Sequence, residues 1–106
     1  MSEKVVVTWD GQSGKTYRYR SYPIGTKFRD QRPANYIFAV LKPQGGWIAT
    51  YIGQTDNISE CVFGQDKEGF SRRNSAKYIH VHLAETEEAR LEEEKDLIAK
   101  WHPKCN

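Results

Sequence analysis

The sequence predicts an α+β domain in which a small antiparallel sheet is flanked by helices and preceded by an additional N-terminal β-hairpin. Two pairs of segments, one near the N-terminus and one in the centre, have the β-branched and aromatic composition of strands, and a glycine-containing turn joins each pair. Near the C-terminus, a capping residue precedes a segment with helical periodicity. At 106 residues with 38% apolar composition, the chain suits one compact domain.

The predicted elements follow one another without an internal repeat. The N-terminal part has a strand at 5–9, a turn at 10–15, a strand at 16–21 and a loop at 22–35. The central part has strands at 36–41 and 47–52 joined by a turn at 42–46, then a helix start at 55–60 and a polar loop with some helix at 64–77. The C-terminal part has a strand at 78–83 and a helix from Thr86 to about Trp101, which Pro103 ends. Residues 1–32, the hairpin and its connecting loop, are predicted to belong to the same domain as residues 33–106.

The second strand of the N-terminal hairpin alternates tyrosine with arginine. Tyr17 and Tyr19 share one face, and Arg18 and Arg20 share the other, because side chains alternate along a strand. We interpret this first as an ordinary half-buried hairpin with a solvated basic face. The alternative is that the arginines contact phosphates beside aromatic side chains.

The net charge differs between the two parts of the chain. Residues 1–83 carry 12 basic and 7 acidic groups (+5), and residues 84–106 carry 4 and 7 (−3), so the basic body could attract a polyanion.

Cys61 and Cys105 lack metal-ligand spacing and are interpreted as free thiols; His80 and His82 are expected to pack or face solvent rather than to join them at a metal. No apolar run resembles a membrane span or a signal peptide, so we expect a cytoplasmic protein without a membrane partner.

A carboxylate interrupts the apolar stripe predicted for the last helix. At about 100° per residue, Leu91, Leu97, Ile98 and Trp101 fall on one face, and Glu94 projects from the middle of it. Such a carboxylate needs a partner. Arg90 at i−4 is one candidate, and a hard cation such as Mg²⁺ is the other.

Three segments, in order, resemble the GIY-YIG nuclease family over residues 33–106. The segment YIGQTDNI at 51–58 resembles the YIG half of the motif and the helix start after it. The segment PANYIF at 33–38 resembles the GIY half, with Tyr36 as its tyrosine and Phe38 as the alternative occupant. The segment EKDLI at 94–98, followed by Pro103 and Asn106, resembles the closing helix of the family, and it includes Glu94.

The resemblance implies a three-stranded antiparallel sheet with flanking helices, and phosphodiester hydrolysis of a nucleic acid, with DNA expected ahead of RNA. It implies that Tyr36 and Tyr51 transfer protons and contact phosphate, and that Glu94 binds one Mg²⁺ or Mn²⁺ beside the scissile bond. The family also places an arginine on the helix after YIG, where this chain has Cys61. A thiol supplies neither a permanent charge nor a bidentate fork.

Three functions therefore remain open at the level of sequence. The first is a metal-dependent nuclease, and the second is a catalytically impaired module of the same fold that binds nucleic acid or a protein. The third is a small structural domain in which Glu94 pairs with Arg90. For the first two, we expect Tyr36, Tyr51 and Glu94 to converge on one surface, and Arg72 and Arg73 in the polar loop to bind phosphate.

Overall fold

The computed structural model describes residues 5–60, 76–104 and 106. These described residues form an α+β arrangement of five strands, one short 3-10 helix and one α-helix. The strands are β1 (Val5–Asp10), β2 (Thr16–Pro23), β3 (Ala34–Leu41), β4 (Trp47–Thr55) and β5 (Tyr78–Leu83); the 3-10 helix spans Ile58–Glu60, and the α-helix α1 spans Glu87–Trp101. No helix of the described residues is both long and apolar enough to cross a membrane.

All five strands form one antiparallel sheet in the order β1-β2-β5-β3-β4. The N-terminal hairpin, β1 and β2, extends this sheet, because β2 pairs with β5 through registers such as Arg20 with Val81. Strand β5 therefore lies between the two hairpins. The central turn contains Gly45 and Gly46, with φ of 96° and 89°, and Lys42 N–H donates to the Gly46 carbonyl at 3.0 Å, as the glycines of that segment predict.

A bulge in β4 sets the side-chain directions of the central hairpin. Phe38 is opposite Tyr51, but the next residue of β3, Ala39, is opposite Ala49, so Thr50 is the extra residue. The Thr50 hydroxyl donates to the Phe38 carbonyl at 3.2 Å. As a result Tyr51 lies on the same face as Phe38.

The two faces of the sheet carry separate apolar clusters. The helix-side cluster lies under α1 and consists of Trp9, Tyr19, Ile37, Ala39, Ala49, Ile52 and Leu97. The far-side cluster lies on the opposite face and consists of Ala34, Tyr36, Phe38, Ile58, Ala76, Ile79 and Val81. Helix α1 packs against β4, β3 and β1.

The ends of α1 agree with the sequence prediction. The Thr86 hydroxyl accepts a hydrogen bond from Ala89 N–H at 3.2 Å, as an N-cap does. The helix ends at His102, which has a left-handed φ of 44°, and Pro103 follows it.

The predicted apolar stripe of α1 was wrong in part: Leu97 is buried and Ile98 packs against the helix-side cluster as predicted, but Leu91 and Trp101 are exposed. The buried residues are Arg90, Glu93 and Leu97, whereas Leu91 is 46% exposed and Trp101 is 39% exposed. The arc is rotated because the sheet supplies polar partners for two charged side chains, so burial does not follow apolar character alone.

The side chain of Asn106 closes part of the free edge of β4. Its Nδ2 donates to the Ile52 carbonyl at 2.8 Å, and its Oδ1 accepts from Ile52 N–H at 2.8 Å. The amide thus makes the pair of hydrogen bonds that a neighbouring strand would make.

Candidate functional site

Tyr36 and Tyr51 lie side by side on the far side of the sheet. Their ring centroids are 6.1 Å apart, and the Phe38 ring lies 5.6 Å from Tyr36 and 6.0 Å from Tyr51. The two tyrosines converge on Gly53, which is paired with Tyr36 across β3 and β4. A Cβ added at Gly53 would lie 2.7 Å from the Tyr36 hydroxyl oxygen and 2.9 Å from Cε2 of Tyr51. The glycine of the YIG segment therefore leaves the space that both rings occupy.

Glu94 lies on the helix side, away from the two tyrosines. Leu97 of the same helix packs on Ile37 and Ile52, whose side chains point away from the face of Tyr36 and Tyr51. The expected convergence of Glu94 with the tyrosines is therefore not found. The physical reason is that α1 covers the helix-side cluster, so the sheet separates the two sets of side chains.

The sheet separates Glu94 from the two tyrosines, so a cation bound to Glu94 would not lie beside them. The Glu94 side chain is half-buried, and burial raises the pKa of its carboxyl, which favours the neutral form. Within residues 5–60, 76–104 and 106, no group of three His, Cys, Asp or Glu side chains could hold a metal ion together. The Arg90 alternative is not found either: the guanidinium donates to Gln54 Oε1 at 3.0 Å and to the Ala84 carbonyl at 3.0 Å.

The neighbouring carboxylate, Glu93, is the buried acidic group of α1. It is 5% exposed, and it accepts a hydrogen bond from the Tyr19 hydroxyl. Its two oxygens lie 3.0 and 2.9 Å from Nδ1 of His82. The hydrogen bond to Glu93 raises the pKa of His82, and burial together with Glu93 raises the pKa of Tyr19. The sequence signal that we missed is the i, i+3, i+7 spacing of Arg90, Glu93 and Leu97, which defines a helix face as well as the apolar residues do.

His80 and His82 have separate roles inside the sheet. His80 is fully buried, and its Nδ1 accepts a hydrogen bond from Trp9 Nε1 at 2.9 Å. The Trp47 ring packs edge-on against His80 with centroids 4.5 Å apart. Burial lowers the pKa of His80 to about 4, so the imidazole is neutral near pH 7. His80 therefore packs in the core, which is one of the two positions expected for it from the sequence.

An arginine-lined groove of about 490 Å³ opens on the far side of the sheet. We call it the arginine groove. Its basic side chains are Arg18, Arg20, Arg29 and Arg32, and its other lining residues are Tyr22, Phe28, Asp30, Ile58, Val81, His82 and Leu83. Arg18 and Arg20 are exposed while Tyr19 between them is buried, as strand alternation predicts. Arg32 forms an ion pair with Glu85.

The arginine groove is adjacent to the two tyrosines. Val81 lines the groove and is paired with Tyr36 across β3 and β5. Both residues also belong to the far-side cluster. A ligand in the groove would therefore lie one strand away from Tyr36, on the same face of the sheet. The pattern of β2 offered Arg18 and Arg20 as phosphate contacts, and their position next to Tyr36 follows from the pairing of β5 with both β2 and β3.

The remaining site residues predicted from sequence, Cys61, Arg72 and Arg73, lie outside the described residues. Comparison of the chain with protein-family models, with curated proteins and with solved structures found no match. The resemblance to the GIY-YIG family therefore rests on the three sequence segments.

Proposed function

We propose that this chain is a GIY-YIG-like module that binds nucleic acid in the arginine groove without hydrolysing it through Glu94. The observation that carries the proposal is the position of the groove: four arginines line it, on the same face of the sheet as Tyr36 and Tyr51. A polyanion held by these arginines would reach the face where the family's tyrosines are expected.

The charge of the groove suits phosphate. Four guanidinium groups line it, against the single carboxylate of Asp30. Glu85, which does not line the groove, forms an ion pair with Arg32 and neutralises its charge. The remaining positive charge of the groove is carried chiefly by Arg18, Arg20 and Arg29. Guanidinium groups bind phosphate through charge-assisted and often bidentate hydrogen bonds, and such contacts supply most of the affinity for a nucleic-acid backbone.

Hydrolysis is the second candidate. The contact of Tyr36 with Tyr51 favours it, because two phenols on one face could contact a phosphate and a water together. The position of Glu94 on the helix side disfavours it, and so does Cys61 at the position where the family has arginine. Metal-assisted hydrolysis needs the metal ligand and the proton acceptor at the same phosphate. We therefore place binding first.

Salt-dependent binding of a labelled oligonucleotide tests the first candidate. The double variant Arg18→Ala/Arg20→Ala should weaken binding and lower the slope of log affinity against log salt concentration by about 1.4 to 1.8, because each phosphate contact contributes roughly 0.7 to 0.9. The control is Lys95→Ala/Lys100→Ala, which removes the same charge from exposed positions of α1 on the helix side. Equal losses in the two double variants would show that net charge, not the groove, holds the ligand.

Incubation of the same oligonucleotides with Mg²⁺ or Mn²⁺ separates the two candidates. We expect the wild type to leave the strand intact. Metal-dependent cleavage that is lost in Glu94→Ala would overturn the binding-only proposal and establish the nuclease.

A further inference from the structure

We propose that the arginine groove takes single-stranded rather than double-stranded nucleic acid, with unpaired bases against Tyr22 and Phe28 and phosphates on Arg18 and Arg20. This inference rests on the proposed function and specifies the form of the ligand. It comes from the shape of the groove, the aromatic side chains in it and the spacing of the arginines.

The groove has the dimensions of a small-ligand site. Its volume of about 490 Å³ lies within the roughly 300 to 1,000 Å³ of pockets that enclose compact organic ligands. A base and its sugar are ligands of that size, and a base can enter only when it is not paired. A duplex presents its base edges mainly in the major groove, about 12 Å wide, which proteins read with an inserted helix or two-stranded β-ribbon. The one α-helix of the described residues packs on the opposite face of the sheet.

The aromatic side chains of the groove suit an unpaired base. Tyr22 and Phe28 are half-buried, so part of each ring remains accessible, and they meet edge to face with centroids 5.1 Å apart. Val81 and Leu83 continue the apolar lining beside them. Proteins that bind single strands commonly combine aromatic side chains, on which bases stack, with a positively charged groove that follows the backbone. A duplex, with its bases stacked internally, gains nothing from such rings.

The arginines of β2 are arranged along a line. Arg18 and Arg20 are two residues apart on the same face of one strand, which places their Cα atoms roughly 7 Å apart. Tyr22 is the next residue on that face, at the end nearer the connecting loop that carries Phe28. Two guanidinium groups are therefore followed by an aromatic ring along β2, so a strand whose phosphates contact the arginines can place an unpaired base at the Tyr22 end.

Separate binding titrations of a single strand and of its duplex test the inference. A fluorescently labelled oligothymidylate and its duplex with complementary oligoadenylate are titrated with the full chain, and polarisation reports binding. We expect the single strand to bind at least tenfold more tightly. The variant Tyr22→Leu, which keeps an apolar side chain but removes the ring, should weaken single-strand binding about tenfold, because base stacking on an aromatic residue is typically worth that much. Tyr22→Phe keeps the ring and is the matched control.

The outcomes separate this inference from the proposed function. Equal or tighter binding of the duplex would overturn the single-strand inference and leave nucleic-acid binding intact, and so would unchanged single-strand affinity in a folded Tyr22→Leu variant. Binding of neither form by the wild type would overturn both proposals. Thermal unfolding of each variant establishes whether the fold is retained, and the comparison of the two ligands with the wild type does not depend on any variant.

Discussion

Acidification from pH 6.5 to pH 4 should destabilise the fold through His80. Its imidazole is fully buried, Trp9 Nε1 donates to its Nδ1, and the Trp47 ring packs against it. The pKa is therefore lowered from 6.5 to about 4 in the folded chain. Between these values the unfolded chain binds the proton and the folded chain does not, so stability falls as the pH falls. Each pKa unit is worth about 1.4 kcal/mol, so the contribution lost by pH 4 is about 3 kcal/mol.

Urea unfolding followed by tryptophan fluorescence measures this loss, since the chain has three tryptophans and two of them, Trp9 and Trp47, contact His80. The variant His80→Gln keeps an acceptor for Trp9 but does not titrate. The free energy of unfolding should therefore fall by about 3 kcal/mol more in the wild type than in the variant over this range. His82 does not confuse the comparison: its pKa is raised, so its contribution is complete below pH 6.5 and is lost only as the pH rises through its folded value. The same pH dependence in both proteins would refute the reasoning.

Three further predictions concern packing and hydrogen bonding. Gly53→Ala should cost about 1 to 3 kcal/mol of unfolding free energy, because the new methyl group would displace two tyrosine rings; unchanged urea unfolding would contradict this. Asn106→Ala should cost about 1 to 2 kcal/mol, because it removes both hydrogen bonds to Ile52, and it should speed hydrogen exchange of the Ile52 amide. The pKa of Asp96 should lie below its ordinary value, because Ser13 donates to it from both hydroxyl and backbone. An NMR titration should show it rising in Ser13→Ala, and no rise would count against that cause.

Local patterns in the sequence were sufficient for most of the sheet and for the ends of the helix. The central turn follows from glycines at 45 and 46, and the helix start follows from Thr86, because both depend on residues within a few positions along the chain. The order of the strands could not be predicted in this way. Strand β5 enters between the two hairpins, and that pairing joins residues such as Arg20 and Val81 that are distant in sequence.

The candidate site was predicted less well, and Glu93 shows why. Helical periodicity placed Glu94 in the apolar stripe, but Glu93 is the buried carboxylate because Tyr19 and His82 provide its hydrogen bonds. Helical periodicity takes account only of which residues are apolar, so it cannot identify polar partners that lie on another strand or helix. The contact of Tyr36 with Tyr51, by contrast, was predicted correctly, because the two tyrosines lie on neighbouring strands of one hairpin.

The contact of Asn106 with Ile52 also bears on aggregation. Within the part of the chain that the structure describes, β4 is an edge strand of the sheet, and the unpaired amides and carbonyls of such a strand are a template for joining another chain. The Asn106 amide occupies both backbone groups of Ile52, so a foreign strand could pair along β4 only by displacing it. One side chain thus protects the middle of an exposed sheet edge against self-association.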